Sequence, residues 1–78
     1  MDEAWMREAL TLAREALWAG ETPVGCVIVR GGEIVARARN RREELGDPTA
    51  HAEMLAIREA ARRGGNWRMT ECCIHVTL

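Results

Sequence analysis

A histidine and a glutamate two residues apart, His51 and Glu53, are the side chains of this 78-residue chain best suited to chemistry. They follow Asp47-Pro48, a pair that predicts a helix start with the aspartate as N-cap and the proline in the first helical position. Alone, the His-x-Glu spacing is common by chance, and residues i and i+2 do not share a helix face. In the first turn of a helix, the two side chains can spread around the helix end and reach one pocket. A metal ligand and a proton-transfer group need this arrangement, because both must lie near the reacting water while only one binds the metal.

The first half of the chain predicts one helix and two strands. Residues 2 to about 19 carry apolar side chains at helical spacing, and Gly20 can end that helix. Residues 24–29 form an apolar run that suits a buried strand, and Gly31-Gly32 predicts a tight turn. Side chains alternate over residues 34–39, so we expect a second strand that folds back on the first.

The second half predicts a polar loop over residues 40–46, a helix from Asp47 to Gly64-Gly65 and a third strand over residues 73–78. The helix carries Ala50, Met54, Ile57 and Ala61 on one side, which gives it an apolar face. It would form a crossover connection between the second and third strands. The predicted order is α-β-β-α-β, and the fold class is α/β. No covering element follows the third strand, so we expect residues 1–78 to be the N-terminal part of a single domain that is incomplete after that strand.

Composition excludes several classes of protein. Hydrophobic residues make up 47 % of the chain and charged residues 29 %, which argues against a disordered chain. No apolar stretch approaches the roughly 20 residues of a membrane span, and the N-terminus does not resemble a signal peptide, so we expect a cytoplasmic protein. The formal net charge of −1 provides no global attraction to nucleic acid. Three cysteines without framework spacing do not indicate a disulfide scaffold.

Four segments in chain order are Pro23-Val24-Gly25-Cys26-Val27, Asn40-Arg41, Asp47-Pro48-Thr49-Ala50-His51-Ala52-Glu53 and Ile74-His75-Val76-Thr77-Leu78. Together they resemble the bacterial tRNA adenosine deaminases, which belong to the cytidine deaminase-like superfamily. The match runs over essentially the whole chain, and the set of segments is specific although His-x-Glu alone is not. The resemblance implies the N-terminal portion of a cytidine deaminase-like α-β-α sandwich with a mixed sheet.

The resemblance also implies roles for four residues. His51 would be a ligand of one zinc ion, and Glu53 would be the catalytic proton shuttle. Asn40 would hold the nucleoside, and the backbone N–H of Ala52 would face the edge of the base. The implied reaction is hydrolytic deamination of adenosine to inosine at the wobble position of a tRNA anticodon. Members of the family tend to be homodimers, so the implied partners are tRNA and a second copy of the chain.

The family takes its other two zinc ligands from a Pro-Cys-x-x-Cys segment directly after the third strand, which would lie beyond Leu78. Cys72 and Cys73 lie at the start of that strand, about 20 Å from the site at roughly 3.3 Å per residue. His75 occupies a position that is usually aromatic in the family. We therefore expect no local replacement for the two ligands, and we expect the 78 residues alone to bind zinc weakly and not to deaminate.

Two alternatives to a tRNA deaminase remain at this point. The chain could belong to a deaminase of a free base or nucleoside, or it could be a non-catalytic fragment that binds a partner. The arginines around the second strand and the second helix could contact tRNA phosphates, or they could be solvated side chains paired with neighbouring glutamates. Trp5 and Trp18 are predicted to pack beneath the first helix, and Trp67 is predicted to anchor a loop.

Overall fold

The computed structural model describes residues 2–64 and 71–77. The helices are α1 (Asp2–Trp18), α2 (Arg42–Leu45) and α3 (Ala52–Gly64), and the strands are β1 (Gly25–Arg30), β2 (Glu33–Arg39) and β3 (Cys72–Val76). Apart from the single turn of α2, which lies in the predicted polar loop, this is the predicted α-β-β-α-β order. None of the helices described is long and apolar enough to cross a membrane.

The three strands form one sheet in the order β2-β1-β3. The central strand β1 is antiparallel to both neighbours, and Cys26 lies opposite Ala38 on one side and Val76 on the other. β2 and β3 therefore run in the same direction, and α3 is the predicted crossover between them. Because β1 separates them, the described strands contain no parallel pair, and the expected mixed sheet is not found within residues 2–64 and 71–77.

Each face of the sheet is covered by one helix. Cys26 and Ile28 belong to a buried cluster with three alanines of α3, namely Ala52, Ala56 and Ala60. Val27 and Val29 point to the other face, where they pack with Ala9 of α1 and the half-buried Trp5. The described residues therefore make the three layers of an α-β-α sandwich, as predicted.

Gly25 allows α1 to lie very close to β1. A Cβ atom at this position would lie 2.0 Å from the carbonyl oxygen of Ala9 and 2.8 Å from the backbone nitrogen of Ala13. Real Cβ atoms essentially never approach that closely. The glycine is needed because helix backbone and strand backbone are in direct contact there.

The start of the second main helix differs from the prediction. α3 begins at Ala52, because the Asp47 carboxylate accepts hydrogen bonds from the backbone N–H and the hydroxyl of Thr49 (2.8 and 2.7 Å) and so closes a local turn instead of a helix cap.

The apolar side of this helix is only partly as predicted. Ala50 is buried and Ile57 packs against the core, as their place on that side suggests, whereas Met54 is exposed. The buried residues of α3 are the alanines at 52, 56 and 60.

The predictions for tryptophan have different outcomes. Trp5 packs in the core between α1 and the sheet, as predicted. Trp18, the last residue of α1, is 81 % exposed, so the prediction that it is a packing residue is wrong. Trp67, Gly65 and Arg68 lie outside the described residues.

Candidate active site

One end of the sheet brings the ends of all three strands together. Asn40 directly follows β2, and its backbone N–H donates to the carbonyl oxygen of Val24, just before β1 (3.1 Å). Thr77 directly follows β3, and its backbone N–H donates to the carbonyl oxygen of Gly25 (3.0 Å). The Thr77 hydroxyl also accepts the backbone N–H of Gly25 at 2.9 Å. Hydrogen bonds therefore join the ends of all three strands at this end of the sheet.

Asn40 joins this end of the sheet to the start of α3. Its side chain is 3 % exposed, and its Oδ1 accepts the backbone N–H of Ala52 at 2.7 Å. The next residue, Arg41, donates its backbone N–H to the carbonyl oxygen of Ala50 (2.9 Å). Asn40 thus satisfies a helix N–H that has no partner within the helix, although twelve residues separate the two in sequence.

His51 and Glu53 both lie at the beginning of α3. His51 is the N-cap residue, because its carbonyl oxygen accepts the N–H of Leu55 (3.0 Å) and the helix starts at the next residue. Glu53 is the second residue of the helix and half-buried, and the helix dipole favours a negative charge there. Burial raises the pKa of the Cys26 thiol to about 11, and the Glu53 charge contributes to that rise. The Glu53 carboxylate therefore lies within electrostatic reach of the start of β1.

A known family matches this arrangement along the whole chain. The model of the cytidine and deoxycytidylate deaminase zinc-binding region matches residues 1–78. The chain belongs to the cytidine and deoxycytidylate deaminase family. Within that family it is similar to the tRNA-specific adenosine deaminase of Aquifex aeolicus, with 51 % identity over 76 residues, 97 % of this chain and 50 % of that protein. It is also 48 % identical to the tRNA-specific adenosine deaminase of Bacillus subtilis, over 99 % of this chain and 48 % of that protein.

Solved structures of deaminases have the same fold. One structure, from a study of A-to-I editing by tRNA:A34 deaminases, superimposes with a TM-score of 0.95 at 41 % identity and covers 97 % of this chain and 58 % of that one. Guanine deaminase from Bacillus subtilis superimposes with a TM-score of 0.91 at 40 % identity, over 95 % of this chain and 48 % of that one. The chain spans about half the length of the bacterial relatives it matches.

The residues described supply only part of the ligand set for the zinc ion expected in this deaminase family. Within residues 2–64 and 71–77, no three His, Cys, Asp or Glu side chains come together as a group that could hold a metal ion. Cys72 and Cys73 lie opposite Arg30 and Val29, at the other end of β1 from Gly25. These described residues place one imidazole, that of His51, at the start of α3, and they do not make a zinc centre by themselves.

His75, the other histidine of the chain, lies on the opposite face of the sheet from α3. It is paired with Val27, and paired residues of neighbouring strands project to the same face. Val27 packs against α1. The sheet therefore separates His75 from the helix that begins after His51.

Three arginines of β2 and the following segment have carboxylate partners. Arg39 and Arg41 donate to the two oxygens of Glu44 (2.9 and 3.0 Å), and these hydrogen bonds hold the pKa of Glu44 below its usual value. Arg37 pairs with Glu8 of α1 at 3.0 Å. The three arginines and Glu44 line a cleft of about 560 Å³ along β2, which does not include His51 or Glu53. The pairing favours the interpretation of these arginines as solvated, partnered side chains.

The burial of Glu21, a charged residue that is only 4 % exposed, was not expected from the sequence. Its carboxylate accepts backbone N–H groups of Glu43 and Glu44. No local pattern signals this contact, because its partners lie 22 and 23 residues further along the chain.

Proposed function

We propose that this chain carries the histidine ligand and the proton-transfer carboxylate of a zinc-dependent hydrolytic deaminase that converts adenosine to inosine at the wobble position of tRNA. The observation that supports this most directly is that His51 and Glu53 lie together at the start of α3. The start of this helix is hydrogen-bonded to the segment that follows β2, at the end of the sheet where the three strand ends meet. The tRNA substrate is supported by the identity of about half the residues to bacterial tRNA-specific adenosine deaminases.

In this proposal His51 is one ligand of a single zinc ion, and the remaining donors come from outside the described residues. When bound, zinc would lower the pKa of water at the site to about 7. Glu53 takes a proton from the attacking water and delivers it to the amino group on C6 of adenine. A C–O bond forms as the C–N bond breaks, so adenosine and water become inosine and ammonia.

Asn40 and Ala52 are proposed to hold the nucleoside. Oδ1 of Asn40 already accepts the Ala52 N–H, which leaves the amide nitrogen of Asn40 as a donor for an acceptor atom of the purine. The backbone N–H of Ala52 is proposed to face the edge of the base; it donates to Oδ1 of Asn40 in this structure, so a bound base would share or replace that hydrogen bond. A homodimer in the cytoplasm completes the proposal, with tRNA as its partner.

A free base is the second candidate substrate. Guanine deaminase from Bacillus subtilis is about as similar to this chain, at 40 % identity, as the structure from the tRNA deaminase study is at 41 %. Both substrates present an amino group on a purine ring to the same chemistry. The substrate assay must therefore include both.

The first test replaces Glu53 by Gln in the full-length protein with zinc. We expect turnover of an anticodon stem-loop with adenosine at the wobble position to fall by about 10²–10⁴-fold, because the amide cannot accept the proton. Zinc content and circular dichroism should not change. Inosine formation is measured by nuclease digestion and chromatography.

The matched control is Glu59→Gln on the same helix, which weakens only the pairing of a half-buried carboxylate with Arg62 and Arg63. The turnover of this variant should stay within twofold of that of the original protein. Full activity of Glu53→Gln would contradict the proton-transfer role. Ammonia release from guanine without inosine in RNA would replace the tRNA proposal by the second candidate. Inactivity of the zinc-loaded original protein on both substrates would favour a non-catalytic piece.

A further inference from the structure

Glu21 forms an unusual buried contact at the start of α2. One carboxylate oxygen, Oε1, accepts the backbone N–H of Glu43 at 3.1 Å. The other, Oε2, accepts the backbone N–H of Glu44 at 2.7 Å. A carboxylate buried to this degree is stable only when its oxygens are hydrogen-bonded, and here both are.

This contact replaces the cap that α2 lacks. The N-cap residue of α2 is Arg41, whose side chain makes no capping hydrogen bond and has no acceptor atom. An N-cap side chain normally accepts the N–H of the second or third helical residue. In α2 these residues are Glu43 and Glu44, the two whose N–H groups Glu21 accepts.

Glu21 is itself held rigidly at the end of α1. Gly20, two residues after the end of α1, adopts a left-handed conformation with φ of 82°. The N–H of Gly20 donates to the carbonyl oxygen of Leu17 (3.0 Å), and the N–H of Glu21 donates to that of Ala16 (2.9 Å). This pair of bonds is a Schellman motif, which fixes the direction of the chain after a helix.

α2 is directly connected to the candidate active site. Arg41, its N-cap residue, donates its backbone N–H to Ala50, and the preceding residue, Asn40, accepts the N–H of Ala52. Loss of the α2 cap would free the residues that directly follow Asn40 and Arg41 from their contact with the end of α1. The buried carboxylate of Glu21 therefore links α1 to the residues that border His51.

We propose that Glu21 is a positioning residue, which holds Asn40 and the start of α3 in place by capping α2 from a distance. The proposal rests on the proposed function only for its kinetic consequence. Its structural consequence does not depend on any activity: loss of the α2 cap should also weaken the hydrogen bond that Ala52 donates to Asn40.

The test compares Glu21→Gln with the original full-length protein. The amide keeps one acceptor oxygen but turns an NH2 group toward a backbone N–H, so one of the two bonds is lost. By amide hydrogen exchange we expect Ala52 to exchange at least tenfold faster, together with Glu43 or Glu44. We expect KM for the anticodon stem-loop to rise about tenfold, because Asn40 is no longer held in position.

The control is Glu8→Gln, the same change at an exposed carboxylate that pairs with Arg37. It should leave Ala52 exchange and KM unchanged. Glu21→Asp, which keeps the charge but shortens the side chain, should give an intermediate effect, and it carries the test if Glu21→Gln does not fold.

Faster exchange at Glu43 or Glu44 with original values at Ala52 and an original KM would overturn the proposal. If the original protein has no activity, the proposed function fails. The exchange of Ala52 then decides the role of Glu21: a tenfold rise supports it, and an unchanged rate contradicts it.

Discussion

At the scale of single residues, Asn40 does at α3 what Asp47 was predicted to do. Both have short side chains with a carbonyl oxygen that can accept a backbone N–H. Thr49 donates two hydrogen bonds to the nearby Asp47 carboxylate and holds the pKa of that carboxyl below its usual value. Asp47 therefore accepts hydrogen bonds from a local partner and does not cap the helix. Asn40, which directly follows β2, accepts the N–H at the start of α3 instead.

The buried thiol of Cys26 is predicted to be unreactive in the folded protein. With a pKa of about 11, only about 0.1 % of it is thiolate at pH 8. Cys73 is exposed. We expect iodoacetamide at pH 8 to label Cys73 at least a hundredfold faster than Cys26, as measured by peptide mass spectrometry.

Unfolding in urea should abolish the difference in labelling rate, and rapid labelling of Cys26 in the native protein would contradict the prediction.

The raised pKa of Cys26 also makes the stability of the folded protein depend on pH. Because the unfolded thiol ionises near pH 9.0 and the native thiol near pH 11, the contribution of Cys26 to stability is fully present below pH 9.0 and is lost as the pH rises toward about 11.

At the scale of elements, the fit of α1 against β1 depends on one missing side chain. We expect Gly25→Ala to reduce the free energy of unfolding by about 3 kcal/mol, because the new methyl group would overlap the carbonyl oxygen of Ala9. The midpoint of urea denaturation measures this loss.

Gly32→Ala is the matched comparison, since nothing lies within 4 Å of a Cβ there and only the left-handed φ of 79° opposes the change. That substitution should cost about 1 kcal/mol. Equal losses for the two variants would show that close packing of α1 is not what requires Gly25.

At the scale of the whole molecule, the two histidines lie at different places relative to the sheet. His51 precedes α3 on one face, and His75 of β3 projects to the face covered by α1. If His51 is a zinc ligand, zinc binding stabilises the folded protein by about 2.7 kcal/mol at a concentration a hundredfold above Kd.

We therefore expect zinc to raise the Tm of the full-length protein by several degrees, as measured by calorimetry, and a chelator to reverse the rise. His51→Ala should abolish the effect of zinc, whereas His75→Ala should retain it. A zinc-dependent Tm that survives His51→Ala, or that is lost with His75→Ala, would refute the assignment of His51.

The sequence by itself determined the elements whose signals are local. α1 follows from its apolar spacing and Gly20, β1 and β2 follow from an apolar run, an alternating run and the glycine pair between them, and all three were predicted close to their observed bounds. The family was also evident from short segments of sequence, and His51 and Glu53 were expected together at a helix start, where they lie with His51 as the N-cap residue instead of inside the first turn. Only the tertiary structure decided where α3 begins, that α2 forms, and that Trp18 is exposed. The start of α3 and the cap of α2 depend on hydrogen bonds that span 12 to 23 residues, between Asn40 and Ala52 and from Glu21 to α2. Such contacts form only when the packing of both helices on the sheet brings distant segments together, so no local pattern of residues encodes them.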